Sequence, residues 1–212
     1  MNFKTKIENQ AKNNAFKLLD VMKLADIDNY YMAGGCFHKV IHDYDIFPIN
    51  KDDFNKVCTK LNNYIVFKSK NAITVHYDGI TIQFCKYHHN SLKELVDSFD
   101  FAHCQIGAEI NSFTQVVDTY ASQNYIDWKM TDEDVYTGSE YPLSSLIRTY
   151  KYKDNFLGRN YKRETVQILI DLIKRGFEDY QDFKDQLDAI DLAYMEDNEK
   201  LRELFELLRK DK

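Results

Sequence analysis

The sequence contains only 2 prolines and 7 glycines in 212 residues. So few prolines leave few rigid loops, and no repeat or low-complexity segment interrupts the chain. No apolar run reaches the roughly 18 residues that a membrane-spanning helix needs. The first ten residues, "MNFKTKIENQ", also lack the apolar stretch of an export signal. The sequence therefore predicts neither a membrane span nor secretion.

The sequence also lacks paired cysteines and an excess of basic residues. Four cysteines are scattered without a C-x-x-C spacing, a pattern typical of reduced thiols, so we expect an intracellular, cytoplasmic protein. The formal net charge is −6. Proteins that hold long nucleic acids by their phosphates usually present a basic surface, so a broad grip on long DNA or RNA is not expected. A local basic patch remains open.

The order of periodic segments predicts an α/β region followed by helices. Residues 5–27 have helical spacing, "YYMAG" and "DYDIFPI" are typical of strands, and β-branched runs on both sides of Asp78-Gly79 predict a hairpin. Beyond residue 110 the periodicity is helical. We therefore predict a mixed sheet flanked by helices in residues 1–110 and an all-helical region in 111–212. No strand of this sheet is expected after residue 115.

Two glycines and two aspartates lie close together in the stretch from Tyr30 to Phe47. Gly34 and Gly35 let the backbone approach a ligand closely. Asp43 and Asp45 flank one tyrosine, so on a strand both carboxylates point to the same side of the sheet. Like charges on one side repel unless a cation lies between them. The pattern predicts a Mg²⁺ or Mn²⁺ site next to a turn that faces phosphate groups.

Three segments resemble the polymerase β-type nucleotidyltransferase superfamily. They are "AGGCFHKVIHDYDIF" (33–47), "SFDFAHCQIGA" (98–108) and "LIRTYKY" (146–152). They are similar to motifs of the head and neck of class II tRNA CCA-adding enzymes and bacterial poly(A) polymerases. Together they span most of residues 30–152, and small proteins with this appearance are expected in phages.

The resemblance implies a nucleotidyltransferase fold and a Mg²⁺-dependent enzyme. Such an enzyme would transfer a nucleoside monophosphate from an NTP, ATP among them, to an acceptor hydroxyl on an RNA 3′ end such as tRNA, on a protein or on a small molecule. It implies that the metal ligands are Asp43 and Asp45, with Asp100 as a further catalytic acid or ribose contact. It implies that the nucleotide-binding residues are Gly34, Gly35, His38, Lys39, Arg148 and Lys151.

Several positions depart from the family pattern and favour a second interpretation. Phe37-His38-Lys39 replaces Val-Arg-Asp, and Gln83 stands where a third acid is often found. The base-reading neck motif has no match other than the distant "EDNEK" at 196–200. The alternative is a non-catalytic module that keeps the fold to bind a nucleotide, tRNA or a protein.

Asp100, Arg148 and Lys151 each have a plainer interpretation. We expect Asp100 to face the same cleft as the two aspartates, but it could instead cap a helix or pair with a nearby Lys or Arg. Arg148 and Lys151 could form the polar side of a helix.

Overall fold

The structure of the protein is a computed structural model that describes residues 2–39, 41, 43–69, 71–86, 89–188 and 190. This part of the chain forms two compact units. The first holds the described residues up to Phe99 together with His103–Ile126, and the second holds Asp100–Ala102 together with the described residues from Asp127 onward. The last part of the predicted helical region, residues 191–212, with the "EDNEK" segment, lies outside the described residues.

The first unit is built on one mixed sheet of seven strands. In chain order the strands are β1 Tyr30–Ala33, β2 Tyr44–Pro48, β3 Ile65–Lys68, β4 Ala72–Tyr77, β5 Ile80–Cys85, β6 Ile106–Asn111 and β7 Gln115–Ala121. Their order across the sheet is β3-β4-β5-β2-β1-β6-β7. β2 and β5 are parallel, and all other neighbours are antiparallel. β2, which carries Asp45, therefore lies in the middle of the sheet.

The helices of the first unit begin and end where the local sequence favours it. They are α1 Phe3–Ala25, α2 Asp53–Lys60 and α3 Leu92–Asp97. The side chain of Asn2 caps α1 by accepting a hydrogen bond from the Lys4 N–H, and α1 ends at Asp26 in a left-handed conformation. Ser91 caps α3 in the same way through the Glu94 N–H at 3.1 Å.

The two sides of β2 differ because successive side chains alternate across a strand. Phe47, on the same side as Asp45, packs in a core cluster with α3; the other buried members are Tyr31, Ala33, Cys85, Leu92, Leu95 and Val96. Tyr44 and Ile46 point to the opposite side and are buried there. The two aspartates therefore share their side of the sheet with α3, and Tyr44 does not.

The second unit is helical in its described part. After α4 (Gln123–Thr131) come α5 Pro142–Tyr152, α6 Tyr161–Arg175 and α7 Tyr180–Asp188. Between α5 and α6 lie a short π-helical segment and a 3₁₀ turn. An aromatic and aliphatic core holds this unit together, formed by Phe101, Tyr136, Tyr152, Leu157 and Ile168. Among the described helices, none combines the length and hydropathy needed to cross a membrane.

The predicted fold class is confirmed: a mixed sheet flanked by helices precedes a helical region. The hairpin at Asp78-Gly79 is present, and both residues adopt the positive φ that such a turn needs. The expectation that no strand pairs into the sheet after residue 115 is wrong, because β7 pairs with β6 along its whole length. β7 is an edge strand, largely exposed or half-buried, so it lacks the apolar alternation that would have revealed it.

Candidate functional site

The two predicted glycines lie directly against the two predicted aspartates. β1 ends at Ala33, which pairs with Asp45 on β2, so the turn that follows β1 reaches the start of β2. A Cβ added to Gly34 would lie 3.4 Å from Asp45 Oδ2, and one added to Gly35 would lie 3.8 Å from Asp43 Oδ1. The sequence pattern thus becomes a single site in which backbone and carboxylates face each other.

Gly34 is a position where glycine is needed for two reasons. Its φ is +75°, a conformation that other residues adopt only with strain. A side chain there would also lie against Asp45 Oδ2 at 3.4 Å and the Phe99 ring at 3.9 Å. A turn of this kind exposes backbone N–H groups that can bind anionic oxygens. The arrangement can hold a phosphate group beside the carboxylates.

Cys36 lies beside the site and contributes no charge to it. Its side chain is fully buried, and its Sγ donates a hydrogen bond to the Ala33 carbonyl at 3.4 Å. Burial first, and then the charges of Asp45 and Asp43, raise the pKa of the Cys36 thiol well above its ordinary value. The thiol therefore stays protonated near neutral pH and acts as a packing group.

Gln83 lies next to Asp45 on the neighbouring strand. β2 and β5 are parallel, with Asp45 and Gln83 as register partners, so both side chains point to the same side of the sheet. The Gln83 Oε1 also accepts a hydrogen bond from Cys85 Sγ at 3.8 Å. An amide at this position offers an oxygen ligand without a negative charge.

The donor set fits a hard divalent cation. Asp43 and Asp45 supply carboxylate oxygens, the ligands that such a cation prefers. Among the described residues no three His, Cys, Asp or Glu side chains cluster around a common point. Mg²⁺ is commonly bound through one or two carboxylates and keeps several water or phosphate ligands. Metal binding by Asp43 and Asp45 stays a prediction.

His38 and Lys39 follow the glycine turn but take different positions. The His38 Nε2 lies 2.9 Å from the His103 carbonyl oxygen, to which it donates when it carries the proton, and the two imidazole rings are 5.4 Å apart. Lys39 is exposed and lines a groove with Lys17 and Tyr44. Tyr44 points away from Asp45 across the strand, so Lys39 contributes to a different surface from that of the aspartates. The predicted nucleotide contacts of His38 and Lys39 stay predictions.

Asp100 and Arg148 are brought together within the second unit. Arg148 Nη1 donates to Asp100 Oδ1 at 2.8 Å, and Ser145 Oγ donates to Asp100 Oδ2 at 2.7 Å. Asp100 is 4% exposed. The sequence predicts both residues as ligand contacts, and the plainer alternative of an Asp–Arg pair is present. Their roles towards a metal or a nucleotide stay predictions.

Lys151 lies one turn of α5 away from Arg148. It is exposed, and its Nζ lies 5.8 Å from the centre of the Tyr152 ring. This position is that of a polar helix surface residue. Its predicted nucleotide contact is likewise still a prediction.

Sequence reasoning missed two features of the site region. Ser145 was not singled out, although it completes the contacts of Asp100, because a serine within a helix has no distinguishing spacing. The groove beside Lys39 was also missed, since its residues come from α1, from the end of the glycine turn to the start of β2, and from the β4–β5 turn with the start of β5. No local pattern connects these three segments.

A family described as "Gabija anti-defense 2 family protein" matches residues 5–124, more than half of the chain. The chain belongs to the Gabija anti-defense 2 family. The matched range covers the whole sheet, with the Gly34-Gly35 turn, Asp43, Asp45 and Gln83. No curated protein matches the chain. The family assignment therefore applies above all to the unit that carries the candidate metal site.

The solved structures similar to this chain include CCA-adding enzymes, the proteins that the sequence resembles. The CCA-adding enzyme of Thermotoga maritima, complexed with tRNA, is 15% identical to this chain, with a TM-score of 0.46. The match covers 92% of this chain and 49% of the enzyme chain. The CCA-adding enzyme of Bacillus stearothermophilus, in complex with CTP, is 13% identical, with a TM-score of 0.49. The match covers 94% of this chain and 57% of the enzyme chain. The chain spans about half the length of the solved chains it matches.

Proposed function

We propose that this protein is a nucleotidyltransferase of the host cytoplasm, and that its reaction serves the Gabija anti-defense role for which its family is named. An acceptor hydroxyl oxygen attacks the α-phosphorus of an NTP. The α–β phosphoanhydride bond breaks, pyrophosphate leaves, and the hydroxyl proton passes to solvent or to a carboxylate. The observation that carries this proposal is the closeness of the Gly34-Gly35 turn to the carboxylates of Asp45 and Asp43, which lie 3.4 and 3.8 Å from the positions that Cβ atoms would take.

Each side chain of the site has a defined task in this reaction. Asp43 and Asp45 would hold Mg²⁺, which when bound neutralises the triphosphate and lowers the pKa of the attacking hydroxyl. Gly34 and Gly35 keep the space beside the carboxylates open for phosphate oxygens, and their backbone N–H groups can bind those oxygens. Cys36 stays neutral, so it adds no third negative charge to repel the nucleotide.

The acceptor is best sought among molecules that offer a single hydroxyl, and not among long nucleic acids bound along their length. With a net charge of −6 the protein is poorly suited to bind a long polyanion. A single hydroxyl at an RNA 3′ end such as that of tRNA, on a protein side chain or on a small molecule needs only local contacts. The donor is therefore a nucleotide, and the experiment below distinguishes these three classes of acceptor.

A second candidate function is supported by Gln83. A neutral amide beside Asp45 would suit a module that binds a nucleotide or a partner without transferring anything. In that case the protein would oppose the defence by sequestration. The two candidates differ in whether pyrophosphate is released.

The test is to incubate the purified protein with each α-labelled NTP, Mg²⁺ or Mn²⁺, and an extract of the bacterial host that includes its tRNA. Label is then followed into RNA, protein and small molecules, and pyrophosphate is measured separately. The proposal predicts label in one acceptor class and an equal amount of pyrophosphate. Asp45→Asn should lose both signals, while Asp118→Asn, which changes an exposed aspartate on β7, should keep them.

Nucleotide binding without label transfer or pyrophosphate release would favour the second candidate. A wild-type level of transfer by Asp45→Asn would overturn the first, because the aspartate pair would then have no part in the chemistry.

A further inference from the structure

The groove beside Lys39 lies on the first unit, on the side of β2 opposite to Asp45. Its volume is about 380 Å³, within the range of small-molecule sites, which begins at about 300 Å³. The residues that line it are Lys17, Lys39, Ile41, Tyr44, Gly79, Ile80 and Thr81. α1 contributes Lys17, the segment before β2 contributes Lys39 and Ile41, and β2 contributes Tyr44. The β4–β5 turn and the start of β5 contribute the rest. A small molecule could enter it from solvent.

Among the described residues that line this groove, two carry a positive charge and none carries a carboxylate. Lys17 and Lys39 bring two ammonium groups to it, in a protein whose net charge is −6. Ile41 and Ile80 add apolar surface. A groove of this composition suits a small anion that also carries an apolar or planar part.

Tyr44 fixes the location of the groove relative to the aspartates. It stands between Asp43 and Asp45 in sequence and is 6% exposed. Because side chains alternate along a strand, the Tyr44 side chain lies on the opposite side of β2 from the Asp45 carboxylate. A molecule in the groove and a cation at the aspartates would therefore be separated by the strand itself. Both sites can be occupied at once.

Gly79 contributes backbone to the lining of the groove. Gly79 has a φ of +76°, and a Cβ placed there would meet nothing within 4 Å. The turn thus presents bare backbone beside the two lysines, where anionic oxygens can approach N–H groups as well as ammonium groups.

We propose that this groove is a binding site for a small phosphate-bearing ligand of the nucleoside monophosphate class, distinct from the triphosphate site at the aspartates. The lysines bind the phosphate, and the isoleucines contact the apolar surface of the base or sugar. This inference does not depend on the proposed transfer reaction, because binding here needs neither a divalent cation nor an acceptor.

The experiment is equilibrium dialysis of the full chain with labelled AMP and, separately, labelled inorganic phosphate, in EDTA so that no cation occupies the aspartates. Removal of one charged phosphate contact should weaken binding roughly tenfold. Lys17→Ala and Lys39→Ala should each show this loss, and Lys17→Arg, which keeps the charge, should show little of it. Lys12→Ala is the matched control, since Lys12 is also exposed on α1 but does not line the groove.

The outcomes separate cleanly. The site is supported if AMP binding is saturable, weakens in both alanine variants and is unchanged in Asp45→Asn. If inorganic phosphate binds as well and weakens in the same variants, the phosphate group is the part that is recognised. No saturable binding of either probe overturns the proposal. Equal AMP binding by wild type and a Lys17→Ala/Lys39→Ala double variant also overturns it. Because no transfer is measured, failure here leaves the proposed function standing, and the reverse holds as well.

Discussion

Asp45 on β2 and Gln83 on β5 are register partners in the only parallel pair of strands among the described residues. Neighbouring strands lie about 4.8 Å apart, so the amide lies next to the carboxylate on the same side of the sheet. In the family that the sequence resembles, a third acid is often found at this position. The exchange of an acid for an amide keeps an oxygen ligand and removes one negative charge from the candidate metal site.

We expect Gln83→Glu to strengthen divalent cation binding. An added carboxylate at this distance attracts a cation with an energy that corresponds to at least about a fivefold gain in affinity, even with strong screening. Titration calorimetry with Mn²⁺ measures the change. Thr74→Glu is the matched control, because Thr74 pairs with Gln83 but lies one strand further from Asp45. Equal gains in both variants would show a general charge effect and would argue against a site at Asp45.

We expect Asp45→Asn to abolish Mn²⁺ or Mg²⁺ binding and to leave the fold as stable as before, or slightly more so. The physical reason is that neutralising one of two neighbouring carboxylates removes their repulsion when no cation is present. Calorimetry measures metal binding, and thermal unfolding in EDTA measures stability. Asp118→Asn serves as the comparison. Equal metal binding by Asp45→Asn and wild type would place the metal site elsewhere.

We expect Gly34→Ala and Gly79→Ala to destabilise the protein similarly but to differ in metal binding. Both glycines have nearly the same positive φ, +75° and +76°, and an L-residue in that conformation costs about 1–2 kcal/mol. Only the Gly34 methyl group would fill the space 3.4 Å from Asp45 Oδ2. Urea unfolding and Mn²⁺ titration of both variants check this. Unchanged metal affinity in Gly34→Ala would mean that the cation does not use that space.

The parts of the fold that sequence predicted depend on patterns within about ten residues. The Asp78-Gly79 hairpin follows from turn chemistry between two β-branched runs. The meeting of Gly34 with Asp45 follows from two short buried strands joined by a short connection. In each case the residues that decide the structure are near neighbours in the chain.

The parts that sequence could not predict depend on distant or exposed segments. β7 is held by backbone pairing to β6 and shows little apolar alternation. The hydrogen-bonded ion pair of Asp100 and Arg148 joins residues 48 positions apart. The sequence motifs indicate each residue as a candidate, but no pattern shows that the two contact each other. The groove beside Lys39 depends on how α1 and the β4–β5 turn pack, which no motif records.

We expect Arg148→Ala to destabilise the protein by about 2–4 kcal/mol. It would leave the Asp100 carboxylate, 4% exposed, without its cationic partner, and the cost is moderated because the Arg148 side chain is 24% exposed. Asp100→Asn combined with Arg148→Ala should recover part of the loss, since no buried charge then remains. Urea unfolding measures all three proteins.

Lys151→Ala, on the exposed surface of the same helix, is the control for this pair and should change stability by no more than about 0.5 kcal/mol. A stability loss in Lys151→Ala as large as that in Arg148→Ala would contradict a specific role for the Asp100–Arg148 contact.

We expect the stability of the protein to fall above pH 9, in part because of Cys36. Burial and the nearby aspartates raise the pKa of the folded thiol well above its ordinary value of 9.0. Above pH 9 the unfolded chain therefore loses the thiol proton while the folded protein keeps it, which favours unfolding. This stabilising contribution is complete below pH 9. It is lost at about 1.4 kcal/mol per pH unit as the pH rises towards the pKa of the folded state.

Cys36→Ala should remove that share of the pH dependence, although it costs stability at neutral pH by leaving a small cavity. The difference in unfolding free energy between wild type and Cys36→Ala should therefore shrink between pH 9 and 10. Val57→Ala, another fully buried position without a titratable group, should keep a constant difference over the same range. Parallel curves for wild type and Cys36→Ala would show that the thiol ionises equally in both states and would contradict a raised pKa in the folded protein.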